Sequence, residues 1–386
     1  MLIAIDAVGI RGHGGAAVLT ELLHWLPIVH SECHWHVYLL YRRFREFDDP
    51  PVSEKVKFEY ISIGNSGIGR LWWVNHALPV RIEKLKADLL FSVANIAPTR
   101  NPIPQVVFCH QPNAFLSVDI PTHSIYQKHR LRFMRLQILR GALASQETIV
   151  QTKAMRDSIE HFESQLKGRI HVIPSGYRTP KAEPNIRSEK KKAIDSASKP
   201  ILIYVSHPGE SKNHLLLMRA MPHILKEFPS ATLLLTLEGQ QPPNSKYKSY
   251  VDEIISKADA LGVSERLILL GILNPDEVDY ALRSSDLMVF PSLAESFGLG
   301  LVESMAAGCP IATANLPYAH DVCGNAAVYF DPNDSENIAN TVVNIYKDEY
   351  ALEKLKTNAY VRKTLFSYKN IAEQIISVLR SAMMKN

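Results

Sequence analysis

Cysteine is scarce: Cys33, Cys109, Cys309 and Cys323 are the only four in 386 residues, and no two stand as C-x-x-C. That spacing excludes a zinc ribbon or a disulfide framework as the organising device, and a reducing cytoplasm is the expected setting. Long apolar runs are also lacking, and none approaches the ~20 residues that a bilayer-spanning helix needs. The opening MLIAIDAVGI is apolar but carries Asp6 and no basic flank, so it reads as a buried first strand rather than a signal peptide. Charge of one sign is missing as well. A formal net charge of +4 is too small to imply nucleic acid unless it is clustered, and no base-reading motif accompanies it. Short repeats and low-complexity tracts are absent.

What remains is a folded chain with 46% apolar and 21% charged residues, too long for one ordinary core. Short β-prone runs recur at Leu2–Ile5, His36–Leu40, Phe58–Ile61, Leu89–Phe91, Val106–Cys109, Thr148–Gln151 and Arg169–Ile173. Helical periodicity fills the gaps, as over Ala16–Trp25 and Ile125–Leu139. Strands separated by helix-length segments predict a parallel sheet covered on both faces. Residues Arg178–Pro200, with Pro180, Pro184 and the run Lys190-Lys191-Lys192, are poor in apolar residues and read as a linker or exposed loop. The alternation restarts at Ile201–Val205 and continues through Thr232–Leu237, Arg266–Leu270, Leu287–Phe290, Pro310–Thr313 and Ala327–Phe330. The fold class is therefore α/β, with two Rossmann-like domains over 1–180 and 195–367. An amphipathic helix at about 368–386 is expected to pack back on the first domain.

Ligands of open parallel sheets bind at the carboxyl ends of strands, so the strand-to-helix loops carry the candidates. Gly9 to Gly15 follow the first strand and open a helix; Gly14 and Gly15 there let backbone amides approach an anion. The loop fits neither G-x-G-x-x-G nor the P-loop pattern, which disfavours a dinucleotide enzyme or an ATPase. A second loop, Ser206 to His214, carries His207 and Lys212. The most informative stretch runs from Phe290 to Glu303. Glu295 lies in its loop, amides near Gly298, Leu299 and Gly300 suit phosphate oxygens, and Glu303 leans back toward the same place from the first helical turn. Glu295 as a simple helix cap and Glu303 as a solvated acid is the plainer alternative.

The segment E-S-F-G-L-G-L-V-E-S-M-A-A-G-C-P-I resembles the E-x7-E motif of glycosyltransferase family 4, retaining enzymes of GT-B fold, whose two Rossmann-like domains face each other across a cleft. The resemblance extends over most of the chain and is most specific over Ile201–Pro332. It implies that Glu303 binds the ribose of a nucleotide sugar, that Glu295 contacts the donor sugar, and that amides from Ser296 and Phe297 to Leu299 hold sugar and phosphate. Lys212 matches the family's phosphate-binding lysine. His207 stands where an arginine is usual, and Ser206 where a glycine is usual. His110, after the strand Val106–Cys109, matches a family histidine that contacts the donor sugar or positions the acceptor, with Gln111 replacing the usual aspartate. Gly271, Ile272 and Leu273 are placed against the base. Asn95 and Asn113, with Ser92, are acceptor-side candidates, and Tyr318 to Asp321 are read as preceding a short helix beside the donor.

The resemblance implies a retaining transfer of a hexose, mannose first, from GDP-mannose or a UDP-hexose to a saccharide or lipid-linked acceptor in surface-polysaccharide assembly. No cofactor or metal is expected, since no Asp-x-Asp stands near the site. A non-catalytic sugar-nucleotide-binding subunit of the same fold is the alternative. Lys128, Arg130, Arg132, Arg135 and Arg140 share a predicted helix with Tyr126, Leu131, Phe133, Met134, Ile138 and Leu139 and no acidic residue. That pattern fits either an ordinary domain helix or peripheral docking on the anionic inner face of the cytoplasmic membrane, where Trp72 and Trp73 beside Arg70 would assist.

Overall fold

The computed structural model describes residues 1–10, 13–40, 53–63, 67–115, 125–179, 183–241, 245 and 247–385. Arg11 and Gly12 of the glycine-rich loop, and Pro180, lie outside them. The chain divides into two compact units. Of the described residues, those up to 115, those of 125–176 and those of 366–385 form the first, and those of 177–365 form the second.

The first unit is built on a seven-stranded sheet of β1 (Leu2–Asp6), β2 (His34–Leu40), β3 (Val56–Ile61), β4 (Leu89–Ser92), β5 (Gln105–Cys109), β6 (Glu147–Val150) and β7 (Ile170–Val172). Its order is β3-β2-β1-β4-β5-β6-β7, with every pairing parallel. The second unit has six strands, β8 (Ile201–Tyr204), β9 (Thr232–Leu235), β10 (Leu267–Leu269), β11 (Leu287–Phe290), β12 (Ile311–Ala314) and β13 (Val328–Phe330), in the order β10-β9-β8-β11-β12-β13 and again parallel. All thirteen expected strands are present, with ends displaced by a residue or two. The central strands of each sheet are buried on both faces, which is why they read as continuous apolar runs.

The helix Tyr368–Met384 belongs to the first unit. Its Ile371, Ile375 and Leu379 join a core with Leu19, Leu23 and Leu26 of the helix His13–Val29, and its Ser381 hydroxyl donates to Glu147 at 3.2 Å.

The stretch Arg178–Pro200 is not simply a linker. A helix occupies Ser188–Asp195, burying only Ile194, and the residues before it are stitched to the start of the helix Pro275–Ser284. The amide of Asn185 donates to Asp276 at 3.0 Å, and that of Arg187 to Glu277 at 3.0 Å. Polar bonds, not apolar packing, hold this segment, so its composition looked like that of a loop.

Both sheets reverse their strand order once, between β1 and β4 in the first unit and between β8 and β11 in the second. Such reversals open a crevice at the strands' carboxyl ends. The loops that leave β8 and β11 hold Lys212 and Glu295; the loop that leaves β4 holds Asn95, and the one that leaves β1 leads into the helix that carries Gly14.

Candidate active site

In the second unit, β8 runs into a loop whose backbone is tied to the loop after β11. Leu293 donates its amide to the Ser211 carbonyl at 2.7 Å, and the Tyr204 hydroxyl donates to the Lys212 carbonyl at 2.9 Å. Asn213, in the left-handed region at φ 60°, sends its side-chain amide to the carbonyls of Pro291 at 3.3 Å and Pro332 at 2.8 Å. This framework brings Lys212 and Glu295, 83 residues apart, to 2.5 Å between Nζ and Oε1. Their side chains are 12% and 13% exposed, so the pair is largely withdrawn from water while each partner keeps an open edge.

Beyond Glu295 the chain turns through Gly298 at φ +87°, a backbone conformation that a side chain would strain, and enters the helix Leu299–Ala307. The start of that helix has no side-chain cap. Its first-turn amides and positive dipole end are therefore suited to an anion. Phe297 is buried and fixes the loop from below, while the buried Tyr318 hydroxyl donates to the Ser292 carbonyl at 2.6 Å. Tyr318 to Asp321 lie inside the helix Pro317–Cys323 and do not precede it, as the sequence suggested. Glu303 sits half-buried one turn into the helix. Burial, helped by the Asp279 carboxylate, pushes its carboxyl up to about 7. A carboxyl held near neutrality is poised to ionise when hydroxyl donors arrive.

His207 is exposed, and its Nδ1 lies 2.8 Å from the Pro208 carbonyl. That contact places the proton on Nδ1 and turns the ring's donor inward to its own loop. Ser206 pairs through Oγ with Nε2 of the buried His214 at 2.9 Å, and Thr236 holds its amide at 2.9 Å. Gly271, at φ +69°, begins a turn gripped from outside: Lys190 Nζ donates to the Leu270 carbonyl at 2.7 Å, and Arg187 Nη2 donates to the Ile272 carbonyl at 2.8 Å. Arg187 is itself fixed by a fork on Glu277 at 2.7 and 2.6 Å. Sequence reasoning missed Arg187, Lys190 and Glu277 as supports of this turn. The capping box of Asn274 with Glu277 was a readable signal; for the two basic residues there was none.

In the first unit, Gly14 and Gly15 form the opening of the helix His13–Val29, and a Cβ built on Gly14 meets no atom of the described residues within 4 Å. His110 follows β5 and is half-buried, and burial pushes its imidazole down to about 4, so the ring is neutral at pH 7. Asn95 touches it: the His110 amide donates to Asn95 Oδ1 at 2.6 Å, and Asn95 Nδ2 lies 3.3 Å from His110 Nε2. Asn113 is half-buried, and its enclosed Oδ1 has no hydrogen-bond partner among the described residues. Ser92 is fully buried and so is not available to an acceptor. Arg70 and Trp73 are also buried, both bound to Asp6, and only Trp72 of that trio remains exposed for a surface role.

Residues 185–362 match the family described as Glycosyl transferases group 1. An uncharacterized glycosyltransferase of Methanocaldococcus jannaschii is 24% identical over 61% of this chain and 60% of its own. The O-antigen chain mannosyltransferase B of Escherichia coli is 26% identical over 35% of this chain and 36% of its own. The chain thus spans less than two thirds of these curated relatives' length. Among solved structures, sucrose-phosphate synthase from Thermosynechococcus elongatus superposes with a TM-score of 0.77 at 16% identity, covering 100% of both chains. That likeness shows the GT-B fold. The matched residues, 185–362, lie within the second unit, which is thus similar to the glycosyl transferases group 1.

Proposed function

We propose that this chain is a retaining, metal-independent hexosyltransferase that moves mannose, or another hexose, from a nucleoside-diphosphate sugar to a saccharide or lipid-linked acceptor of a surface polysaccharide. The observation that carries this reading is the Lys212–Glu295 pair beside an uncapped helix start, at the reversal point of the second sheet. Diphosphate oxygens displace Glu295 from Lys212, and the freed carboxylate accepts hydroxyls of the hexose. Lys212 and the amides at Gly298 to Gly300 supply the positive field that a metal supplies in other transferases. Glu303 takes the ribose hydroxyls, and the turn at 271–273 lies against the base. For retention, the leaving phosphate accepts the proton of the attacking hydroxyl on the same face of the sugar.

The test is a panel of sugar nucleotides measured for binding, transfer and slow hydrolysis. Transfer from GDP-mannose or a UDP-hexose without added metal is the expected result. Binding with neither transfer nor hydrolysis on any acceptor would support the alternative, a non-catalytic sugar-nucleotide-binding subunit. Glu303→Ala should weaken donor binding. In the native chain, donor affinity should rise with pH up to about 7 and level above it, because ribose hydroxyls bind the ionised carboxylate and the empty site holds its proton until about 7.

Peripheral membrane contact belongs to the same proposal. The helix Ile125–Ala144 exposes Ile125, Tyr126, Phe133 and Leu136 among Lys128, Arg130, Arg132 and Arg140. Arg135 is not part of this surface, because its guanidinium stacks 3.8 Å over Phe162. An apolar strip flanked by basic groups suits anionic headgroups. Vesicles containing phosphatidylglycerol should retain the protein at low salt and release it at high salt, and Phe133→Glu should abolish retention. Equal recovery on neutral vesicles, or none on either, would remove the membrane role.

A further inference from the structure

Asn95 and His110 stand on the loops that leave two neighbouring strands, β4 and β5. Asn95 adopts φ +71°, in the left-handed region that asparagine tolerates better than most residues. Its own amide donates to the Phe108 carbonyl at 3.2 Å, which fixes its backbone to β5. Its side chain has two ends with different obligations. The end that faces the His110 amide at 2.6 Å must be the oxygen, because a backbone N–H can only donate. The other end is therefore the NH₂, and it faces His110 Nε2 at 3.3 Å. An NH₂ group needs an acceptor there, and a ring nitrogen accepts only when it carries no proton.

We infer that Asn95 is a positioning residue that locks His110 in the Nδ1–H tautomer and so turns the Nδ1 edge of the ring, as a hydrogen-bond donor, toward substrate oxygen. The inference rests on the proposed transferase reading for its substrate and on the Asn95–His110 geometry alone for the tautomer. Phe108 supports the same orientation: its ring meets the imidazole edge-on, with centroids 5.6 Å apart. A neutral ring with a fixed N–H suits an uncharged hydroxyl or a sugar ring substituent. It does not suit proton removal, since Nε2 is the lone pair that Asn95 covers.

The discriminating variant is Asn95→Asp, which keeps size and tolerates the same backbone conformation. One carboxylate oxygen still accepts the His110 amide, while the other replaces a donor with an acceptor and draws the proton to Nε2. Imidazole ¹⁵N–¹H correlation spectra at pH 7.5 should show the His110 proton on Nδ1 in the native protein and on Nε2 in Asn95→Asp. The transfer kcat of the variant should fall about tenfold or more, with donor KM little changed, as expected when one substrate hydrogen bond is reversed. Asn95→Gly, which preserves the backbone conformation, should lose the tautomer preference and fall in kcat by less. A native proton on Nε2, or an Asn95→Asp protein with unaltered tautomer, would overturn the assignment. If no sugar nucleotide supports transfer, the transferase reading fails, and the spectra still decide the tautomer.

Discussion

Lys212→Ala is expected to lower the transfer rate by about 10²–10³-fold, the loss typical when a single group aimed at developing charge is removed from a water-poor site. The reason is electrostatic. In the proposed reaction a departing nucleoside diphosphate gains negative charge as the glycosidic bond breaks, and Lys212, on the loop that leaves β8, pairs with Glu295 just ahead of the uncapped start of the helix Leu299–Ala307. His207, in the place of an expected arginine, adds no permanent charge and spends its Nδ1 proton on the Pro208 carbonyl. In the proposed reaction, more of the neutralisation therefore falls on the one lysine. A rival account is that Lys212 only holds Glu295 in place. The two accounts separate in a double-mutant cycle. If Lys212 merely holds Glu295, Glu295→Gln and Lys212→Ala with Glu295→Gln should be equally slow, because removing Lys212 then costs nothing further. If Lys212 also carries phosphate charge, the double variant should be slower than either single one, and Lys212→Arg should recover part of the rate. A kcat within threefold of native for Lys212→Ala would end the phosphate role.

The strands of this fold were legible because a parallel strand buried on both faces needs a short continuous apolar run, as in Leu287–Phe290. The helix Ser188–Asp195 was not legible, because its sequence SEKKKAID is polar around nearly its whole circumference and only Ile194 goes inside. Its place is set by Arg187 and Asn185 binding carboxylates some 90 residues away, and no local pattern announces such a partner. The site divides in the same way. The helix start after Gly298 was readable because a glycine there, at φ +87°, marks the turn into the helix. The Asn95–His110 contact joins residues 15 apart on two loops, and the pairing of Asp6 with Arg70 spans 64. Trp73 looked like a surface aromatic by composition, and it is buried because the indole N–H has a carboxylate to bind, at 3.0 Å from Asp6 Oδ1.

That buried carboxylate leads to the second large effect. Arg70→Ala should destabilise the first unit by about 3–5 kcal/mol, the cost of leaving one member of a buried ion pair without its partner. Asp6 is fully buried at the end of β1, and Arg70 forks onto it with bonds of 3.1 and 2.7 Å. Trp73 and the Val8 amide, at 3.0 and 3.3 Å, satisfy part of the carboxylate but bring no charge. The guanidinium also shapes the loop above it. A Cβ on Gly9 would lie 2.9 Å from both Arg70 Nε and Ala94 Cβ, so the chain leaving β1 passes directly over the arginine and only glycine fits. Losing Arg70 thus opens a void below Gly9 at the root of the glycine-rich loop. For a unit of this size the change corresponds to a fall on the order of 10 °C in its melting transition. Calorimetry should show that transition shifted, while donor binding by Lys212 and Glu303, which belong to the other unit, remains near native at 20 °C. Asp6→Asn with Arg70→Met should recover much of the loss, since an uncharged pair of similar volume avoids the uncompensated charge. A shift below about 1 kcal/mol in Arg70→Ala would mean that water or a neighbouring group replaces the guanidinium, and the ion pair would then lose its place as the anchor of β1.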